Sequence, residues 1–160
     1  MKIRMLAALI AVVVPSLAAA QSVKHIQTDA SGIATGVWVG DTLYLSGQLP
    51  AAVTPGDRGK GVPAVYGDTQ TQTESTLTRI QNLLKEQGLG MGDIVMMRVY
   101  LVGDPAKGNM MDFAGMNAAY GKFFGTPAQP NKPARTTVQV AALAIAGPLV
   151  EIEVQAARNK

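Results

Sequence analysis

Residues 149–157, Leu149-Val150-Glu151-Ile152-Glu153-Val154-Gln155-Ala156-Ala157, alternate apolar and polar side chains from Val150 to Ala156. A period of two over that length predicts a β-strand with Val150, Ile152, Val154 and Ala156 facing a core and the glutamates facing outward. Ala146-Gly147-Pro148 precedes it as a turn, and Arg135 to Leu143 precedes the turn as another strand. So short a connection predicts that these two strands pair antiparallel, placing Arg135 and the glutamates on neighbouring strands. Further back, Ile94 to Leu101 is apolar on almost every residue, the pattern of a strand covered on both faces.

The remaining elements follow from turn and helix signals. Val37-Trp38-Val39, Gly40-Asp41 and Thr42-Leu43-Tyr44-Leu45 predict a β-hairpin with a two-residue turn. Gly47, at the end of its second strand, marks a bulge or a close backbone approach. Residues 51–67 read as an exposed loop. Asp68 or Thr69 caps a helix running to about Gln87, with Gly88 as its stop and Leu77, Ile80 and Leu84 on one face. Asp112 caps a second helix through about Phe124, and Gly125 to Pro133 is a proline-containing loop. Met96, Met97, Met110 and Met111 read as gap-filling core or edge residues. The order β-β-α-β-α-β-β gives an α+β layer with two helices on one sheet face. No third helix covers the other face, which implies a homo-oligomer packed sheet against sheet.

Ahead of this domain stands an address label. Lys2 and Arg4 precede the apolar run Met5 to Val14, and Ser16-Leu17-Ala18-Ala19-Ala20 supplies an Ala-x-Ala exit before Gln21. These are the parts of a secretory signal peptide over residues 1–20, leaving a single domain over 21–160 that is exported to the periplasm or secreted. The apolar run is too short to span a bilayer, which takes roughly 20 residues. Without Lys2 and Arg4, the 14 basic residues fall to 12, against 11 acidic ones. A nearly neutral chain with no polybasic run argues against nucleic-acid binding. The absence of cysteine rules out disulfides and thiol chemistry.

The inventory for chemistry is short. His25 is the only histidine and lies in the polar N-terminal arm, so neither a histidine triad nor a zinc site is indicated. Ser46 has no histidine partner and reads as a turn residue. Arg135, Glu151 and Glu153 are left as candidates. A guanidinium is a planar fork suited to holding a carboxylate, but a salt bridge from Arg135 to Glu151 or Glu153 accounts equally well for the same residues. From the residues alone, the result is an anion site with a carboxylate nearby, or an internal ion pair.

Several strings add to this. Leu43-Tyr44-Leu45-Ser46-Gly47-Gln48-Leu49-Pro50, Asp93-Ile94-Val95, Phe113-Ala114, Asn117-Ala118-Ala119-Tyr120, Phe123-Phe124, Pro133-Ala134-Arg135-Thr136-Thr137-Val138 and Val150-Glu151-Ile152-Glu153 stand in one order over roughly Gly36 to Ala157. In these the chain resembles the RidA/YjgF family of enamine/imine deaminases. The resemblance implies a chorismate-mutase-like fold, trimerised so that three sheets form a central barrel with helices outside and a cleft at each subunit interface. It implies hydrolysis of reactive 2-enamino and 2-imino acids to 2-keto acids and ammonia, without metal or organic cofactor. Carried over residue by residue, Arg135 matches the clamp on the substrate carboxylate, and Glu151 matches the group that positions or activates water. Ser46, Gly47, Phe113, Asn117 and Thr137 match cleft-lining positions. Two departures are visible: Ile33 stands where many deaminating members have tyrosine, and Thr137 where cysteine is frequent. They favour the competing expectation, a non-catalytic module binding a small carboxylate in the same cleft.

Overall fold

The computed structural model describes residues 21–158; the signal-peptide expectation for residues 1–20 lies outside them. Six strands form one sheet: β1 (Val23–Ile26), β2 (Gly36–Val39), β3 (Thr42–Gln48), β4 (Ile94–Val102), β5 (Ala134–Val140) and β6 (Val150–Ala157). Two helices, α1 (Thr69–Glu86) and α2 (Phe113–Tyr120), complete the α+β fold.

β2 and β3 form the expected hairpin about Gly40, whose φ of 58° is the left-handed conformation such a turn needs. α1 begins where Asp68 accepts a 2.8 Å hydrogen bond from Thr71 N. It ends where Gly88 turns the chain at φ 73° and Leu89 N returns to Leu84 O. Its Leu77, Ile80 and Leu84 are fully buried against Leu43, Met97, Val99, Leu101, Val150 and Ile152. Met97 is thus core, whereas Met110 is exposed.

Five expectations are corrected. β5 and β6 do not pair: the strand order is β1-β2-β3-β6-β4-β5, with β6 antiparallel to both β3 and β4 and β5 parallel to β4. The strand of residues 135–143 stops at Val140. That leaves residues 141–149 as an irregular segment, long enough to carry the chain past β4. β4 in turn, apolar on nearly every residue, takes a neighbour on each edge, and the long connection through α2 returns β5 beside it as a parallel crossover. The polar arm contains an additional edge strand, β1, held to β2 by the register Val23↔Val39 to Ile26↔Gly36. α2 ends at Tyr120 rather than Phe124, its continuation being successive turns that still bury Phe124. The uncovered sheet face is not uniformly apolar. It carries exposed Tyr44 and Val138 but also Arg98, whose Nη1 lies 2.6 Å from Glu153 Oε1.

One polar residue on the buried face of α1 fastens it to β6. Gln72, 1% exposed, donates to Gly67 O at 2.9 Å and accepts from Leu149 N at 2.7 Å, just before β6 begins. Replacing it by leucine keeps the volume but strands a buried N–H and a carbonyl. Gln72→Leu is therefore expected to lower unfolding free energy by about 2 kcal/mol, read from the midpoint of urea denaturation.

Candidate functional site

The sheet sorts the candidate residues by face. Arg135 sits opposite Met97 in the β4–β5 register, and Met97 points into the core beneath the helices. Glu151 sits opposite Tyr100 in the β4–β6 register. Met97 and Tyr100 are three residues apart, so their side chains leave β4 on opposite faces. Arg135 and Glu151 thus face opposite sides of the sheet, with β4 between their strands and a lateral separation of about 10 Å. The expected neighbouring-strand arrangement is corrected accordingly, and Arg135 forms no ion pair with either glutamate.

On the helix side, α2 builds a cradle for Arg135. Asn117 Oδ1 accepts a 2.8 Å hydrogen bond from Arg135 Nη2, and Met116 Sδ lies 3.6 Å from Nη1. The guanidinium carbon stands 4.3 Å from the Tyr120 ring centroid and 5.9 Å from that of Phe113. These are cation–π distances, attractive without neutralising the charge. Among the described residues no carboxylate pairs with Arg135. Tyr120 stacks on Phe124 at 4.6 Å. Burial pushes the Tyr120 hydroxyl above the usual phenol range, with the Arg135 cation pulling the other way, so this ring is a neutral wall at ordinary pH. Thr137, two residues along β5 on the same face, carries a buried Oγ1 with no hydrogen-bond partner. Phe113, 44% exposed, guards the outer side of the cradle.

On the other side, Glu151 lies directly against Gly47, where a Cβ would overlap its carboxylate. Gly47 sits in the bulge where the β3–β6 register shifts between Leu45 and Gln48, as the isolated glycine in the strand predicted. Ser46 Oγ donates to Ala34 O at 2.7 Å, so its hydroxyl proton is engaged in fixing the preceding loop. Glu151 also borders a cavity of about 320 Å³ with Tyr100, Glu153 and the segment Ala142 to Ala144. Burial, and next the Glu153 carboxylate, push the Tyr100 hydroxyl upward. Gly47 and Ser46 line a second cavity, of about 290 Å³, together with Ile33, which is 69% exposed, and Arg79. Arg79 was not singled out from the sequence, where it reads as one polar residue on a solvated helix face. His25 lies on exposed β1, away from both clusters. Among the described residues, no group of three or more His, Cys, Asp or Glu could hold a metal ion.

Comparison with known proteins identifies the scaffold that carries these clusters. The family model described as Endoribonuclease L-PSP matches residues 29–158. A RutC family protein of Pyrococcus horikoshii is 34% identical over 114 residues, covering 71% of this chain and 77% of its own. TdcF of Escherichia coli K12, whose name assigns it provisionally as a reactive intermediate deaminase, is 34% identical over 108 residues, or 68% of this chain and 73% of its own. Among solved structures, a yeast protein superposes with a TM-score of 0.65 at 26% identity, covering 86% of this chain and all of its own. A YjgF family member of Mycobacterium tuberculosis gives a TM-score of 0.61 at 25% identity, covering 86% of this chain and 100% of its own. With the family model spanning nearly all the described residues and the six-stranded sheet matching its solved members, the chain belongs to the RidA/YjgF family, described also as Endoribonuclease L-PSP.

Proposed function

We propose that the protein hydrolyses reactive 2-enamino and 2-imino acids to 2-keto acids and ammonia, in a cleft assembled from two copies of the chain. One copy contributes Arg135, oriented by Asn117 and flanked by Phe113 and Thr137. The other contributes Glu151, with Gly47 and Ser46. The observation that carries this reading is the unpaired, oriented guanidinium of Arg135. Its one strong acceptor is a neutral amide, so its charge remains available to a ligand carboxylate. The opposite-face placement of Glu151 supports the two-copy arrangement, since one sheet cannot turn both groups toward one small molecule. A trimer that packs open faces together in a barrel is the assembly the family resemblance implies. Export through the residue 1–20 segment would place the activity in the cell envelope, on imines formed there.

The chemistry follows from the groups at hand. Arg135 fixes the substrate carboxylate, and the unpartnered Thr137 hydroxyl offers a further polar contact beside it. The imine carbon is already electrophilic, so orientation of water matters more than a strong nucleophile. Water held by Glu151 forms a C–O bond to that carbon while the carboxylate accepts its proton and passes it to nitrogen. The C–N bond of the resulting carbinolamine breaks, the hydroxyl proton is lost, and ammonia and the keto acid leave. The name of the TdcF relative supports this class of reaction. Cleavage of RNA, suggested by the family's description, finds little support in a sequence with no polybasic run and one histidine. The binding-only alternative draws on Ile33, whose exposed side chain supplies no hydroxyl at the mouth of the Ser46–Gly47 cavity.

The decisive assay couples the protein to an amino-acid oxidase that releases imines, with semicarbazide as a competing trap. Wild type should divert imine to keto acid; no acceleration would leave only the binding reading. Arg135→Ala and Arg135→Lys should each lower kcat/KM about a hundredfold, because an ammonium cannot reproduce the bidentate fork. Glu151→Gln should lower kcat about a hundredfold or more with KM little changed, as loss of a proton-transfer group does. Co-expressing Arg135→Ala with Glu151→Gln tests the two-copy cleft. Mixed oligomers should recover on the order of a quarter of the wild-type rate, the share of interfaces that join an intact arginine to an intact glutamate. Mixtures as inactive as either parent would show that both groups of a site come from one copy.

A further inference from the structure

The cavity beside Gly47 contains a charge that the deaminase chemistry above does not use. Its lining combines Ser31, Ile33, Ala34, Thr35 and Ser46 through Leu49 with Arg79 and Leu83 of α1, around a volume of about 290 Å³. Arg79 is the only charged residue among them. The two serine hydroxyls are committed elsewhere: Ser31 Oγ donates to Ile33 O at 2.5 Å, and Ser46 Oγ to Ala34 O at 2.7 Å. Among the described residues no carboxylate pairs with Arg79. Glu86, which borders a neighbouring cavity together with Arg79, is one of those that do not. A guanidinium free of partners, beside the apolar side chains of Ile33 and Leu83, faces the same space as the Gly47 backbone. Gly47 in turn touches the Glu151 carboxylate.

We infer that Arg79 is a specificity residue that takes a second carboxylate, so that the preferred substrates are imines of acidic amino acids, such as 2-iminoglutarate. This rests on the deaminase reading. Arg135 holds the carboxylate next to the reacting carbon, Ile33 and Leu83 face the methylenes, and Arg79 meets the distal carboxylate. Arg79 is the one charged group on the cavity beside Gly47, so that end of the cleft is positive, which suits the second charge of a dianion. Arg79 is exposed, so its contribution is discounted for solvent. The reaction balances as before: the C=N bond is replaced by C=O with oxygen from water, and nitrogen leaves as ammonia.

The test uses the full mature chain and two imines generated in situ, 2-iminoglutarate from D-glutamate by a D-aspartate oxidase and the leucine imine from D-leucine by a D-amino-acid oxidase. Wild type should favour the acidic imine, chiefly through a lower KM. Arg79→Gln should reduce the acidic-to-neutral ratio of kcat/KM roughly five- to tenfold, the scale of one partly solvated ion pair. Arg79→Lys, which keeps the charge, should retain most of the ratio. Arg135→Ala should lose activity on both imines. Acceleration of the leucine imine with no acidic preference, or a ratio unmoved in Arg79→Gln, would overturn the role of Arg79 and leave the deaminase reading standing. Acceleration of neither imine would bring down both.

Discussion

The two-residue alternation of β4 governs where Arg135 and Glu151 point. Its Met97, Val99 and Leu101 go into the core beneath the helices, and Arg98 and Tyr100 go to the open face. Because β4 has β5 on one edge and β6 on the other, it passes this sorting to both neighbours. Arg135 inherits the helix side through Met97, and Glu151 inherits the open side through Tyr100. A shift of one residue in the β4–β6 register would bury the glutamates and expose Val150, Ile152 and Val154, so the core itself enforces the separation.

The same sheet shows why one arginine is spent on structure and another is kept free. Arg98 stands directly opposite Glu153 in the β4–β6 register, at 2.6 Å, and each satisfies the other. Arg135 stands on an edge strand, where its neighbour on α2 is an amide rather than a carboxylate. A carboxylate there would hold the fork more tightly but would occupy the groups a ligand needs. Asn117 fixes the plane of the guanidinium while leaving its charge whole, and the Tyr120 and Phe113 rings add attraction of the same kind.

Much of this was legible in the residues, and the failures have physical causes. The Gly40 hairpin, the Asp68 cap and the Leu77–Ile80–Leu84 face are local signals, and each appears where its chemistry placed it. Val23 to Ile26 gives no such signal, since this strand of four residues, with Lys24 and His25 at its centre, is held by pairing with β2. The supposed β5–β6 hairpin failed because strand pattern specifies faces but not neighbours. A strand apolar throughout, such as β4, competes for both edges and wins them. Arg135, Glu151 and Gly47 were visible in the sequence as candidate residue types, yet the opposite faces of Arg135 and Glu151 depend on the partner strand. Arg79 was invisible for a similar reason: a polar residue on a helix flank lines a cleft only once Ser31 to Thr35 is folded opposite it.

Gly47 ties these features to chemistry. The bulge at β3 brings a bare backbone against the Glu151 side chain, a closeness that no other residue at this position permits. The open-face cavity with Tyr100 lies on one border of that carboxylate, and the Gly47 backbone that walls the Arg79 cavity lies on another. A carboxylate confined in this way has few positions from which to hold a water. For a substrate whose carbon is already electrophilic, confinement is what lowers the barrier, since the reaction needs placement more than activation. The two-copy cleft proposed above therefore requires rigidity across the contact between copies. Arg135 and Glu151 belong to opposite faces of the sheet, so in the proposed cleft the distance between carboxylate clamp and water is set by how the copies pack rather than by any bond within one chain. A cleft of this kind can change its substrate through residues such as Ile33 and Arg79 while the sheet, its register and its arginine stay as they are.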